Sequence, residues 1–285
     1  MTYRFIASRS LASAAALAAA LAAGCLPSHA ALVEATAPLA AAAPRQDSWW
    51  AALHEPALNT LIDAALRRSL VGQAHPDFQE ETSATPLPAR IAGLYLGARV
   101  TGVRLLMARE LGASLARQKQ LLAADGPRQV AADGPRQVAA DALAQLDARA
   151  ATAGALVQHL STQQAQLVQV MARLCLVPAD ELARALAPAL SNPVAPVVVA
   201  APDGEAAPPV LQGGVRSTAL LSETVAARRQ ELDAVRKRLS LGEASEYELQ
   251  ESFQRLLADG DRLVTARGLL TLQWIERQAG GAPQD

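Results

Sequence analysis

The sequence predicts an all-α protein made of long antiparallel coiled-coil helical hairpins, two diverged repeats joined by a Pro-rich linker, with little or no β structure. Three observations predict it. The chain of 285 residues is 51% hydrophobic but only 3% aromatic, and alanine, the best helix former, supplies much of the difference. Aromatic and β-branched residues, which favour a sheet, are few. Apolar residues recur at spacings of three and four over long stretches, and six prolines in 188–209 divide those stretches into two halves.

The N-terminus reads as an export signal over residues 1–24. Arg4 and Arg9 form a positive region, and Leu11 to Ala23 is an apolar run too short to span a bilayer comfortably. Two cleavage patterns compete. Leu21-Ala22-Ala23-Gly24-Cys25 resembles a lipobox, which would make Cys25 an acylated first residue, although Ala22 stands where that motif prefers leucine. Ser28-His29-Ala30 fits ordinary signal cleavage. Residues 25–47, rich in Ala and Pro, are expected to be a flexible tether.

The first helical repeat is expected over 48–187. After the pair Trp49-Trp50, residues Leu53, Ala57, Leu58, Leu61, Ile62, Ala65 and Leu66 fall on one helical face. Gly72, Pro76, Pro86 and Pro88 interrupt the pattern. A second helix is expected from Ala89 to about Leu122. Then comes a perfect tandem repeat, AADGPRQV at 123–130 and again at 131–138, each copy carrying a Gly-Pro turn signal suited to a loop tip.

The clearest pattern follows. Leu143, Leu146, Ala150, Ala153, Val157, Leu160, Gln164, Leu167, Met171 and Leu174 alternate by three and four, which is a coiled-coil seam. Gln164 is its polar core position and would serve to fix register. Such a helix would be on the order of 50 Å long at about 1.5 Å per residue. Cys175, beside this seam, is expected to be a small, partly buried residue with no reactive role. Pro178 and Pro188 end the element.

Residues 188–217 are expected to be linker, with at most one short strand at Val197-Val198-Val199. The second hairpin is expected over 218–285. Leu221, Val225, Leu232, Val235 and Leu239 form its first seam, interrupted by Arg228. Leu249, Phe253, Leu256, Gly260, Leu263, Leu270 and Trp274 form the return seam, and Gly280-Gly281 closes the helix. Ser245 is a plausible N-cap, and the cluster Glu246, Glu248 and Glu251 suits a helix N-terminus.

Four passages resemble the TolC-type outer-membrane factors, in particular their NodT-like efflux lipoproteins. The first is Ser48-Trp49-Trp50 followed by Glu55-Pro56-Ala57-Leu58-Asn59-Thr60-Leu61-Ile62, with Glu55 where the family usually has aspartate. The second is Ala92-Gly93-Leu94-Tyr95-Leu96-Gly97-Ala98-Arg99. The third is the helix ending Leu167-Val168-Gln169-Val170-Met171-Ala172-Arg173-Leu174 with a Pro-rich crossover behind it. The fourth, and most specific, is Arg238-Leu239-Ser240-Leu241-Gly242-Glu243-Ala244-Ser245, similar to the family's Arg-x-x-x-Gly-x-x-Ser hairpin tip.

The resemblance implies a homotrimeric component of a tripartite efflux system that exports toxic small molecules. It implies that the tip residues Leu241, Gly242, Ala244 and Ser245 contact a periplasmic adaptor (membrane fusion) protein, itself joined to an inner-membrane pump. It places the protein at the outer membrane facing the periplasm, anchored in lipid through acylated Cys25, or else soluble in the periplasm. The sequence departs from the family in one large respect. A membrane strand needs about 9–11 residues of alternating character, and no window supplies one; the segments around 70–89 and 190–217 stand where each half of the family carries its membrane β-hairpin. The first tip departs too, since Gly126 and Gly134 each precede an aspartate by seven residues rather than six, so no contact residues are carried over from it. The alternative is a non-conducting periplasmic helical lipoprotein acting as scaffold or adaptor.

No residue pattern points to an enzyme. His29, His54, His75 and His159 are scattered without metal-ligand spacing, so neither metal nor cofactor is expected. There is no P-loop, dinucleotide fingerprint or nucleophile elbow, and a net charge of -1 gives no footprint for nucleic acid.

Overall fold

The computed structural model describes residues 49–72, 85–125, 133–187 and 209–280. The proposed signal, Cys25, the tether, His29, His75, the first copy's Gly126 and the run Val197–Val199 lie outside them. A 3-10 turn, Trp49–Leu53, precedes six helices: α1 Pro56–Gly72, α2 Leu87–Asp125, α3 Asp133–Cys175, α4 Ala179–Leu186, α5 Pro209–Ser240 and α6 Glu246–Ala279. No strand occurs among the described residues, and the all-α expectation holds.

Two long hairpins, α2/α3 and α5/α6, make the body. Helix α2 also packs along α6, so α3 and α5 are the outer members. Neighbours run antiparallel. Arg104 of α2 meets Asp261 of α6 at 2.7 Å, and Arg117, further along α2, meets Glu246, further back along α6, at 2.6 Å. Lys119 of α2 likewise meets Asp147 of α3 at 2.5 Å. The α2–α3 and α5–α6 connections therefore lie at one end, the tip end. The 3-10 turn, α1 and α4 lie at the opposite end, the base.

The core is thickest at the base. Leu58, Ile62, Ile91, Met171, Cys175, Leu182 and Leu186 are all fully or almost fully buried there, and each buried leucine or isoleucine contributes about 1.5–3 kcal/mol relative to exposure. Trp49 packs edge-on against Trp274 at 5.7 Å, tying the start of the described chain to the end of α6. Towards the tips the core thins to small clusters, Leu105/Ala108/Leu160 and then Leu115/Leu146/Ala153. Among the described residues, Leu87–Ala124 is long and apolar enough to cross a membrane, but 78% of that window is buried inside the bundle, which is how a central core helix behaves. Gly268 lets α2 and α6 approach: a methyl group there would come within 2.8 Å of Val100 Cγ2.

The expected seam of α3 is present: Leu146, Ala153, Leu160, Leu167 and Met171 are buried. Four details differ from the sequence reading. Helix α5 starts at Pro209, inside the segment expected to be linker, because Pro is well placed in a first helical turn, where its missing N–H has no partner to lose. The second copy of the octamer is not a turn. It opens α3 at Asp133, with Pro135 in the first turn. Gly280 does close α6, but at φ -77° rather than in the left-handed region. Gln164 is only half-buried and makes no polar contact with the described residues; the polar core layer is elsewhere.

That layer joins α2, α3 and α6 near the tips. Gln254 Nε2 donates to Ser114 Oγ at 3.0 Å and to Gln118 Oε1 at 2.9 Å. Ser114 Oγ donates to Gln250 Oε1 at 2.7 Å, and Arg149 Nη2 donates to Gln254 Oε1 at 2.6 Å. Ser114, Gln118 and Gln254 are all buried. A buried polar group costs dearly when unpaired, so any slip of one helix along another is penalised here, in the manner of a polar position in a coiled-coil core.

Candidate functional site

The tip between α5 and α6 carries the residues singled out by the sequence, Leu241, Gly242, Ala244 and Ser245, and the structure brings them into one short turn. Helix α5 ends in a two-bond C-terminal lock. The Glu243 N–H donates to the Arg238 carbonyl at 2.9 Å and the Gly242 N–H to the Leu239 carbonyl at 3.0 Å. This geometry needs a left-handed residue, and Gly242 provides it at φ +76°. Three residues later Ser245 caps α6. Its hydroxyl accepts from the Glu248 N–H at 3.1 Å, and its own N–H donates to Glu248 Oε2 at 2.9 Å, a reciprocal capping box.

The turn is held from both sides. Arg238 Nη2 donates to the Glu243 carbonyl at 3.1 Å and stands 3.9 Å from Glu248. Arg117 of α2 forks onto both oxygens of Glu246, at 2.6 and 2.9 Å. That hydrogen-bonded guanidinium holds the Glu246 carboxyl below its ordinary range. The acidic cluster is thus accounted for locally, with Glu251 3.6 Å from Arg255. What remains outward is the apolar side chain of Leu241, with the exposed Glu243 beside it. Leu241 is 63% exposed, and no atom lies within 4 Å of where a Gly242 side chain would begin. A rigid turn thus displays a leucine beside open space. Ala244 is half-buried beneath it.

Sequence reasoning missed the supports. Arg117 and Glu246 are 129 positions apart, and nothing in either helix alone marks them as partners. Arg228 was visible as a break in the seam, and the structure supplies its reason. Its Nε donates to Asp259 Oδ2 at 3.1 Å and its Nη1 to Glu231 Oε2 at 2.7 Å. Asp259 also takes Arg262 at 2.9 Å, and Glu231 takes Arg255 at 3.1 Å. An ionic chain therefore runs from Arg262 to Glu251 across the two helices, fastening the hairpin below its tip.

At the base, two of the resembling passages meet. Tyr95 donates to Glu55 Oε2 at 2.9 Å, with Arg99 4.0 Å from the same carboxylate. Burial first, and Glu55 second, raise the Tyr95 hydroxyl pKa above its ordinary value. Cys175 is fully buried, and burial pushes its thiol pKa up to about 12, which leaves it unreactive at neutral pH. Among the described residues no three His, Cys, Asp or Glu side chains gather to hold a metal; His159 is exposed on α3.

No family model, curated protein or solved structure matches the chain.

Proposed function

We propose that this chain is a lipid-anchored helical component of a TolC-type tripartite efflux assembly, exporting toxic small molecules, with the α5–α6 tip as its contact for a periplasmic adaptor. The observation that carries the reading is the tip itself: Leu241 projects from a turn locked by Gly242 and the Ser245 capping box. A docking surface gains affinity when an apolar anchor is already held in place, because little ordering entropy is then lost on binding. The four resembling passages support the same reading, and two of them come together at Glu55 and Tyr95. On this reading Cys25 carries the acyl anchor at the outer membrane, the assembled form is a homotrimer, and the energy comes from an inner-membrane pump through the adaptor.

The test is fractionation and drug accumulation. Heat-resistant trimers in outer-membrane fractions, with toxin sensitivity on deletion and on Leu241→Glu, are the expected result. A monomeric protein whose deletion leaves accumulation unchanged overturns the conduit and leaves the alternative, a non-conducting periplasmic scaffold using the same tip.

A further inference from the structure

An open groove of about 330 Å³ lies between α2 and α5, floored by α6. Its size falls at the lower end of what small-molecule sites occupy. Leu232, Leu249 and Phe253 make an apolar floor, and Ala113 on the α2 side leaves room above it. Two charged residues line it, Glu110 on α2 and Arg236 on α5. They are not equivalent. Arg236 is already satisfied by Asp233 at 3.0 Å. Glu110 is exposed and has no ion-pair or hydrogen-bond partner among the described residues, in a hairpin where nearly every neighbouring carboxylate is paired. Glu110 is therefore the charged group of the groove left without a partner, and it stands over an aromatic and aliphatic surface.

From this we infer that the groove binds organic cations with a flat apolar body. The body would lie on Leu232, Leu249 and Phe253, and the positive charge would pair with Glu110, with a further contribution from the Phe253 ring. An anion of the same shape meets the wrong free charge. This assignment goes beyond the efflux reading and does not depend on it, since it is a property of the single chain.

Ethidium is a suitable probe. The full-length chain, purified in an uncharged detergent, is titrated by fluorescence anisotropy against a detergent-only blank. Saturable binding that weakens as sodium chloride is raised is expected. Glu110→Gln should weaken it about threefold to fivefold, the range of a partly exposed ion pair, and remove most of the salt dependence. Ala113→Trp should abolish it by filling the groove; position 113 is exposed, and circular dichroism checks that the variant folds. Should that variant misfold, Glu110→Arg provides the second test, expected to abolish binding without touching the core. The inference is overturned if ethidium shows no saturable binding, if Glu110→Gln and Glu110→Arg bind it as the parent does, or if the anionic dye anilinonaphthalene sulfonate binds as tightly and equally well to both.

Discussion

The Tyr95 hydroxyl donates a 2.9 Å hydrogen bond to Glu55, clamping the start of α1 onto the base end of α2. Both groups are partly withdrawn from water, so neither can be removed without leaving the other poorly satisfied. Tyr95→Phe should lower the unfolding free energy by about 1 kcal/mol, measured by urea denaturation. The pH dependence has a definite sign. Because the folded hydroxyl pKa is raised by burial and by Glu55, its contribution is complete below the ordinary tyrosine value and is lost as pH rises beyond it. Alkaline titration followed by tyrosinate absorbance should show Tyr95 ionising last, with unfolding. A Tyr95→Phe chain that loses no amplitude in that last phase would contradict the assignment.

The Arg228–Asp259 pair occupies a seam position that would otherwise be apolar. Asp259 has a side chain only 9% exposed, so removing Arg228 alone leaves a nearly buried carboxylate with the more exposed Arg262 as its remaining partner. Arg228→Leu is expected to cost about 2–3 kcal/mol, whereas Arg228→Leu with Asp259→Leu should restore most of it, as replacement of buried pairs by apolar residues often does. A double-mutant cycle on thermal or chemical unfolding measures this. Equal costs for the single and double variants would show that the pair is not coupled.

Two helix ends in this chain use the same left-handed lock with opposite residues. At Gly242 the φ of +76° falls on glycine; at Leu176, which ends α3, a φ of 53° falls on leucine. A side chain in this region costs about 1–2 kcal/mol. Leu176 is 38% exposed and belongs to none of the buried apolar clusters, so losing its side chain opens no core cavity. Leu176→Gly should therefore stabilise the protein by about 1 kcal/mol and Gly242→Ala should destabilise it by a similar amount. Calorimetric midpoints moving in the same direction for the two changes would refute the common mechanism.

The polar layer makes an unequal prediction about two glutamines. Gln254 serves Ser114, Gln118 and Arg149 at once, while Gln118 has a buried Nε2 with no partner. Gln254→Leu should cost about 2–3 kcal/mol by orphaning several groups, and Gln118→Leu distinctly less, since it removes one unpaired donor along with one bond. Comparing the two by denaturation at neutral pH tests the ranking. A larger loss for Gln118→Leu would reverse it.

Much of the architecture was legible because helix period depends on residues near in sequence. In the α3 seam Leu146, Ala153, Leu160, Leu167 and Met171 are buried and the alternate positions half-buried, and the return seam is buried at Leu256 and Leu263, as their spacing implies. The tip was legible for the same reason: Gly242 and the Ser245–Glu248 capping box are local chemistry. What escaped was whatever depends on a distant partner. Gln164 looked like the register residue because it sits in the strongest seam, yet the hydrogen-bonded layer formed where α2, α3 and α6 meet, around Gln118 and Gln254. Arg117 is one basic residue among many on α2 until Glu246 is beside it. The boundary at Pro209 escaped because proline weighs equally as linker and as first-turn residue.

The sharing of α2 between both hairpins limits how the molecule can respond to a load. A force applied at Leu241 acts on a turn whose following helix is tied to α2 by the Arg117–Glu246 fork and the glutamine layer, so both belong to the first hairpin as much as to the second. A load on the α5–α6 turn is thus shared with α2 through that fork and layer, rather than carried by the α5/α6 seam alone.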